Sequence, residues 1–345
     1  MSELSRNQLV TRRDFFRRTA GTAATTGLGA ALITRQNAAS AQAAKPNPWA
    51  YDDSLFRRTD PKLIHYRETR RFPCLRPAPR CLALGEDERL FVGAGTFVTQ
   101  CTLEGVQVAE MKLTDQVRCL AVAEDGIVYV GLREQVEVYG ANGQLRSTWD
   151  KPPGKPYFTG LAVNNNDLFV ADAGNRVVLR YDRTGRLKGR IGAKDKGKGI
   201  PGFIVPSPFF DVEITRDGLL RVSNPGRHRV ETYTPDGDLE VFWGKPGAAI
   251  ENFCGCCNPI NLTALADGRI VTVEKGIPRV KVYSLDGTFE SVVAGAESFV
   301  ENAEACGPKD CTVGGLDAVA DAHGRIYVLD LVASNVRVLE PKPNG

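Results

Sequence analysis

The stretch VLRYDRTGRLK at residues 178–188 decides the fold, because four others superpose on it without gaps: VTQCTLEGVQV (98–108), VEVYGANGQLR (136–146), VETYTPDGDLE (230–240) and VKVYSLDGTFE (280–290). Each opens on Val, carries Tyr three residues later (Cys101 in the first) and Gly seven residues later, at 105, 143, 185, 237 and 287. Alternating apolar residues make half-buried strands, and the Gly of an x-D-G or x-N-G turn supplies the positive φ of a tight hairpin. A second strand pair lies upstream of each: LALGEDERLFVG (82–93), LAVAEDGIVYVG (120–131), LAVNNNDLFVAD (161–172), VEITRDGLLRVS (212–223) and LTALADGRIVTVE (262–274). A sixth unit begins with LDAVADAHGRIYVLD (316–330) and stops at VRVLE (336–340). Six four-stranded antiparallel units of about 40–50 residues predict an all-β, six-bladed β-propeller. The sixth unit lacks its fourth strand, and LIHYRETRRF (63–72) has the length and alternation to supply it. Closure of that kind removes the exposed sheet edge that an open arrangement would leave.

LFVADAGNRVVLRYDRTGRLKGRIG (168–192), with its apolar-apolar-Val-x-Asp core, Asn175-Arg176 and following hairpin, resembles the NHL repeat. The resemblance covers residues 80–340, is strong in the third unit and looser in the first two. It implies an NHL-type six-bladed propeller, a fold that hosts binding modules, lactonases and lyases, so it leaves function to the site. GCCNP (255–259) followed by VTVEKGIPRVKVYSLDGTFESVVAG (271–295) resembles exported bacterial NHL proteins that carry the same cysteine-rich insertion, and that resemblance implies no particular activity.

The first 43 residues differ in character. TRRDFFRR (11–18) is basic, TAGTAATTGLGAALI (19–33) is uncharged and mildly apolar, and AASAQA (38–43) offers an A-x-A cleavage site. This is the order of a secretory signal, with an apolar run too short for a membrane span. Arg12-Arg13 before Asp14-Phe15-Phe16 resembles the twin-arginine signal, which implies export of a folded chain to the periplasm or beyond. The expected organisation is a signal peptide at 1–43, a linker at 44–62 and a propeller at 63–345, monomeric, with no transmembrane segment once the signal is removed. The remaining chain holds 38 basic and 39 acidic residues. It therefore lacks the basic excess that nucleic-acid binding needs.

The nine cysteines are the chemical anomaly. Aligning the units on their first hairpin puts Cys81, Cys119, Gly160, Asp211, Asn261 and Asp317 just ahead of the six channel-lining strands, where they would converge on a ligand or cofactor at the channel mouth. ENFCGCCNP (251–259) enters the fifth blade and ACGPKDC (305–311) the sixth, both from the face formed by the connectors between blades. Cys74 leads into the first blade, and Cys101 takes a core position. Two readings of this set stand side by side. Cys254, Cys256, Cys257, Cys306 and Cys311 offer thiolates for zinc or an iron-sulfur cluster, Cys254-x-x-Cys257 having the spacing of a metal knuckle. Alternatively, disulfides staple the loops in an oxidising compartment.

His228, beside Arg227 and Arg229, reads as a solvated loop histidine or an anion clamp, while His65 and His323 read as structural. Asp172, Glu274 and Asp330 end the second strands, and with Asp211, Asn261 and Asp317 they suggest a calcium site of the kind used by six-bladed lactonases. The leading expectation is a cysteine-rich metal or redox site that binds a protein or small molecule on the connector face. A protein- or glycan-binding module with disulfide-stapled loops and a calcium-dependent hydrolase are the alternatives.

Overall fold

The computed structural model describes residues 54–305 and 315–343. The signal segment, part of the linker, and Cys306 and Cys311 lie outside the described residues. Short 3-10 turns at Ser54–Arg57 and Pro61–Leu63 lead into the first strand.

Six separate four-stranded sheets follow one another, each strand antiparallel to the next. Their inner strands are Pro79–Leu84, Cys119–Val122, Phe158–Val163, Val212–Ile214, Asn261–Ala264 and Leu316–Ala320. Each inner strand packs beside the next, and the sixth packs beside the first, so the strands enclose an axial channel. The expected closure is present: Tyr66–Pro73 pairs antiparallel with Asn335–Pro341 and becomes the outer strand of the sixth blade. Val300–Ala305 forms one short α-helix, and among the described residues no helix is long and apolar enough to cross a membrane.

The repeated Val and Gly now have separate physical roles. Val98, Val136, Val178, Val230, Val280 and Val336 are the first or second residues of the third strands and are buried. The repeated glycines sit in the turn to the outer strand with φ between 75° and 97°. Each also lies against a large side chain of the preceding blade's outer edge. A Cβ on Gly105 would stand 2.4 Å from the Phe72 ring, one on Gly185 2.7 Å from Trp149, and one on Gly287 2.2 Å from Trp243. Gly143 approaches Met111 more loosely, at 3.3 Å from a built Cβ, and Gly237 meets Ile191 at an ordinary contact distance of 3.7 Å. The glycine thus makes the turn and lets the neighbouring blade close over an aromatic, whose burial contributes on the order of 4 kcal/mol.

Gly218 provides a control, since it has φ +78° but open space where a Cβ would go. Gly218→Ala should cost about 1–2 kcal/mol, the strain of a left-handed non-glycine residue alone. Gly287→Ala should cost about 2 kcal/mol more in urea unfolding, because it adds a clash with Trp243 to the same strain. Equal costs would show that the glycine serves the turn only.

Candidate functional site

The six aligned residues do meet. Cys81, Cys119, Gly160, Asp211, Asn261 and Asp317 line one cavity of about 100 Å³ at the connector-face mouth of the channel. Most lie inside the inner strands rather than ahead of them: Cys81 pairs with Gly93, Cys119 with Gly131, Gly160 with Ala171, Asn261 with Val273 and Asp317 with Leu329. Asp211 immediately precedes its strand.

Their polar atoms are largely committed to joining blades. The Leu262 N–H donates to Asp211 Oδ2 at 3.0 Å, and Asn261 Nδ2 donates to Asp317 Oδ1. The Leu82 N–H donates to Asp317 Oδ2 at 2.7 Å, and Thr159 Oγ1 donates to the Phe210 carbonyl at 2.6 Å. A chain of side-chain bonds therefore links blades three, four, five, six and one around the axis. The two thiols tuck into slots left by glycine: a Cβ on Gly93 would lie 2.7 Å from Cys81 Sγ, and one on Gly131 2.3 Å from Cys119 Sγ. Among the described residues, no three His, Cys, Asp or Glu side chains are grouped to share an ion.

Burial sets the protonation of this ring. Loss of water raises both thiols well above the ordinary range of cysteine. Burial, reinforced by the Asp317 charge, holds Asp211 far above a normal carboxyl, and burial pushes Asp317 up to about 6. Burial thus works against charge on the thiols and on Asp211, while Asp317 keeps donors on both of its oxygens.

The arginines preceding the two cysteines are what the sequence reading passed over. Arg80 and Arg118 line the same cavity. The Arg80 guanidinium stands 5.8 Å from the Phe209 ring centre, with Lys275 Nζ 4.4 Å from that ring. Arg118 and Arg133 stand 5.1 and 5.2 Å from the Tyr157 ring. Neither Arg80 nor Arg118 meets a carboxylate among the described residues, and Arg118 Nε is buried without an acceptor. The signal was present as a repeated tetrapeptide, RCLA at 80–83 and again at 118–121.

One step further down each inner strand, alternation brings Glu213 into the channel, where it touches both the mouth cavity and the space below. Burial pushes its carboxyl up to about 8.

The other carboxylates are engaged elsewhere. Asp172 accepts from the N–H groups of Tyr157 and Asn175, and Asp330 from those of Val332 and Ala333. Glu274 is fully buried against Arg279 and against Lys281 Nζ at 3.2 Å. Asp172, Glu274 and Asp330 therefore staple turns and do not join Asp211, Asn261 and Asp317 at the channel. Lys281 and Arg279 also donate to the carbonyls of Ile250, Asn252 and Ala248, and so hold the start of the cysteine-rich connector. His228 Nε2 lies 2.6 Å from the Gly255 carbonyl, which places it as a support of that loop. Asn258 bridges Cys254 and Lys275, and the sulfurs of Cys256 and Cys257 stand 3.4 Å apart. His65 borders the closing strand, and His323 lies 3.6 Å from Glu88.

No family model matches the chain. Protein brain tumor of Drosophila melanogaster is 28% identical over 150 residues, which are 43% of this chain and 13% of that protein. The chain thus spans a small part of that relative's length. Among solved structures, streptogramin B lyase aligns with a TM-score of 0.55 and 12% identity, over 80% of this chain and 98% of the other. Selenomethionine-substituted virginiamycin B lyase from Staphylococcus aureus gives 0.54 and 12%, over 80% and 100%. A catalytically inactive variant of the same lyase with quinupristin gives 0.53 and 13%, over 76% and 80%. At these identities the likeness is one of fold.

Two outcomes follow from the burial of the ring. A carboxyl raised to about 8 favours the fold most at low pH and loses that contribution as pH climbs from about 4.5 to 8. Glu213→Gln should therefore gain stability over wild type progressively across that window, by about 1–3 kcal/mol at pH 8.5 in urea unfolding, and show no gain near pH 4. Cys81 and Cys119 should resist iodoacetamide at pH 8 until the protein is unfolded, a result read by mass spectrometry of the labelled peptides.

Proposed function

We propose that this chain is a ligand-binding propeller that captures a carboxylate-bearing group at the connector-face mouth of its channel. The observation that carries this reading is the pair Arg80 and Arg118, held over Phe209 and Tyr157 with no carboxylate in ion-pair contact among the described residues, Arg118 with a buried and unsatisfied Nε. A buried orphan donor beside a cavity is costly unless a ligand supplies the acceptor. Arginine suits a carboxylate because its planar fork can donate two parallel bonds. The ring beneath contributes two thiols, and the oxygens of Asp317 are turned to the donors of Leu82 and Asn261.

Binding is favoured over the alternatives by what surrounds the mouth. A histidine-to-alanine change accompanies inactivity in one lyase of similar fold, and none of the three histidines of this chain lines the cavity. The thiols are protonated and seated in glycine slots, which is poor preparation for a nucleophile. The carboxylates expected to hold calcium are engaged with blade backbones and with Asn261, which disfavours a calcium-dependent hydrolase.

The cysteine-rich connector supports a second reading. Its adjacent sulfurs at 3.4 Å and its pinning by His228, Arg279 and Lys281 fit a loop held in one shape. Zinc or an iron-sulfur cluster at Cys254, Cys256 and Cys257 would need further ligands, and Cys306 and Cys311 are the available ones. Disulfides within that set would serve a binding face equally well. Metal content and thiol titration of protein recovered after export, which the twin-arginine segment would direct, separates these states.

Calorimetric titration with acetate, succinate and N-acetylglutamate, each against its neutral amide, tests the leading reading. At least one carboxylate should bind tenfold or more tightly than its amide, and Arg118→Gln should abolish that preference without lowering the thermal midpoint. Equal binding of acid and amide, or an unchanged preference in the variant, would refute it.

A further inference from the structure

We infer that the middle of the axial channel, around Glu213, is a binding site for an organic ammonium group. The inference goes beyond the carboxylate site at the rim and rests on different residues. The position two residues beyond the mouth ring is Ala83, Ala121 and Ala162 in the first three blades, Glu213 in the fourth, Thr263 in the fifth and Val319 in the sixth. These six side chains surround a cavity of about 200 Å³ in which Glu213 is the one ionisable group among the lining residues. The Glu213 carboxyl makes no hydrogen bond and no ion pair with any described residue, although the other buried or half-buried acids of the inner ring, Asp211 and Asp317, both accept backbone N–H groups. Glu213 is half-buried, and a carboxyl that gives up part of its hydration without gaining a donor is left uncompensated. Alanine or valine, as in four of the other blades, would have filled the position without that cost.

The surroundings select the chemistry of the missing partner. Calcium or magnesium requires about six oxygen ligands, and this ring offers one carboxylate and one hydroxyl among methyl groups. An alkylammonium asks for less: one carboxylate for its charge and apolar wall for its carbon chain. The route in also favours a cation. Below the alanines the channel widens into a space of about 390 Å³ lined by Glu86, Glu88 and Asp321 against Arg216, with Asp321 held by Arg325. Glu213 borders that space as well. The arginine rim at the opposite mouth repels the same ligand, so the ammonium enters from the acidic end.

The experiment is calorimetric titration of the full chain with n-butylammonium chloride, with n-butanol and butyrate as neutral and anionic probes of similar shape and calcium chloride as the inorganic cation. Butylammonium should bind at least tenfold more tightly than butanol or calcium. Glu213→Gln, which keeps the shape of the side chain, should weaken it tenfold or more while circular dichroism and the melting profile show a folded protein. Ala162→Leu, which narrows the same ring without altering charge, should also exclude it. Arg118→Gln should leave it unchanged, so failure at the rim and failure in the channel are read separately. The inference is overturned if butylammonium does not bind folded wild type, if it binds the Gln variant equally well, or if calcium binds more tightly and is not displaced.

Discussion

The close approach between a hairpin glycine and the outer edge of the preceding blade is the constraint on which the rest of the molecule depends. Gly105, Gly185 and Gly287 admit Phe72, Trp149 and Trp243 at distances no Cβ would allow. At these three junctions the contact sets the separation of successive blades, and the inner strands follow it into a closed ring. Only in such a ring does a residue on one inner strand reach the backbone of the next, as Asp211 reaches Leu262 and Asp317 reaches Leu82. The mouth is therefore a product of packing far from the axis.

The blade architecture was legible in the sequence because every unit writes the same short-range rules: alternation, a turn glycine, and a valine opening the third strand. The ring at the mouth was legible for a related reason. Equivalent positions in a radial repeat must share one height along the axis, so alignment alone brought Cys81, Cys119, Asp211, Asn261 and Asp317 together. What those side chains do there was not legible, since their partners belong to neighbouring blades and no local pattern marks them. Asp317 read as a ligand; in the structure its oxygens are taken by two blades on either side. The arginines and Glu213 were within reach of the same alignment, one step before and two steps beyond the residues chosen. Cysteine drew attention because it is chemically rare, whereas Arg80 and Arg118 look ordinary until their lack of a partner is seen.

Charge is distributed along the axis in a definite order. Cations stacked on aromatics surround one opening, buried thiols and hydrogen-bonded carboxyls lie beneath them, a solitary carboxyl stands among alanines, and acids collect at the far opening. The stacked cations keep their charge near the rim because the ring faces of Phe209 and Tyr157 attract them without neutralising them. The buried trio of Glu274, Arg279 and Lys281 works differently, since its charges are satisfied internally and by loop carbonyls. One group of charges holds a connector in place and the other remains available to a visitor.

The pairing of Tyr66–Pro73 with Asn335–Pro341 has a consequence for synthesis. The strand that completes the last blade is translated before any blade, and its hydrogen-bonding partner emerges after more than 260 intervening residues. Throughout elongation the early strand waits without a mate. Local hairpins can form on the ribosome, but the ring closes only after the final strand has left the exit tunnel. Closure therefore requires the whole propeller: a chain that stops before Asn335–Pro341 leaves Tyr66–Pro73 unpaired and the last blade unfinished.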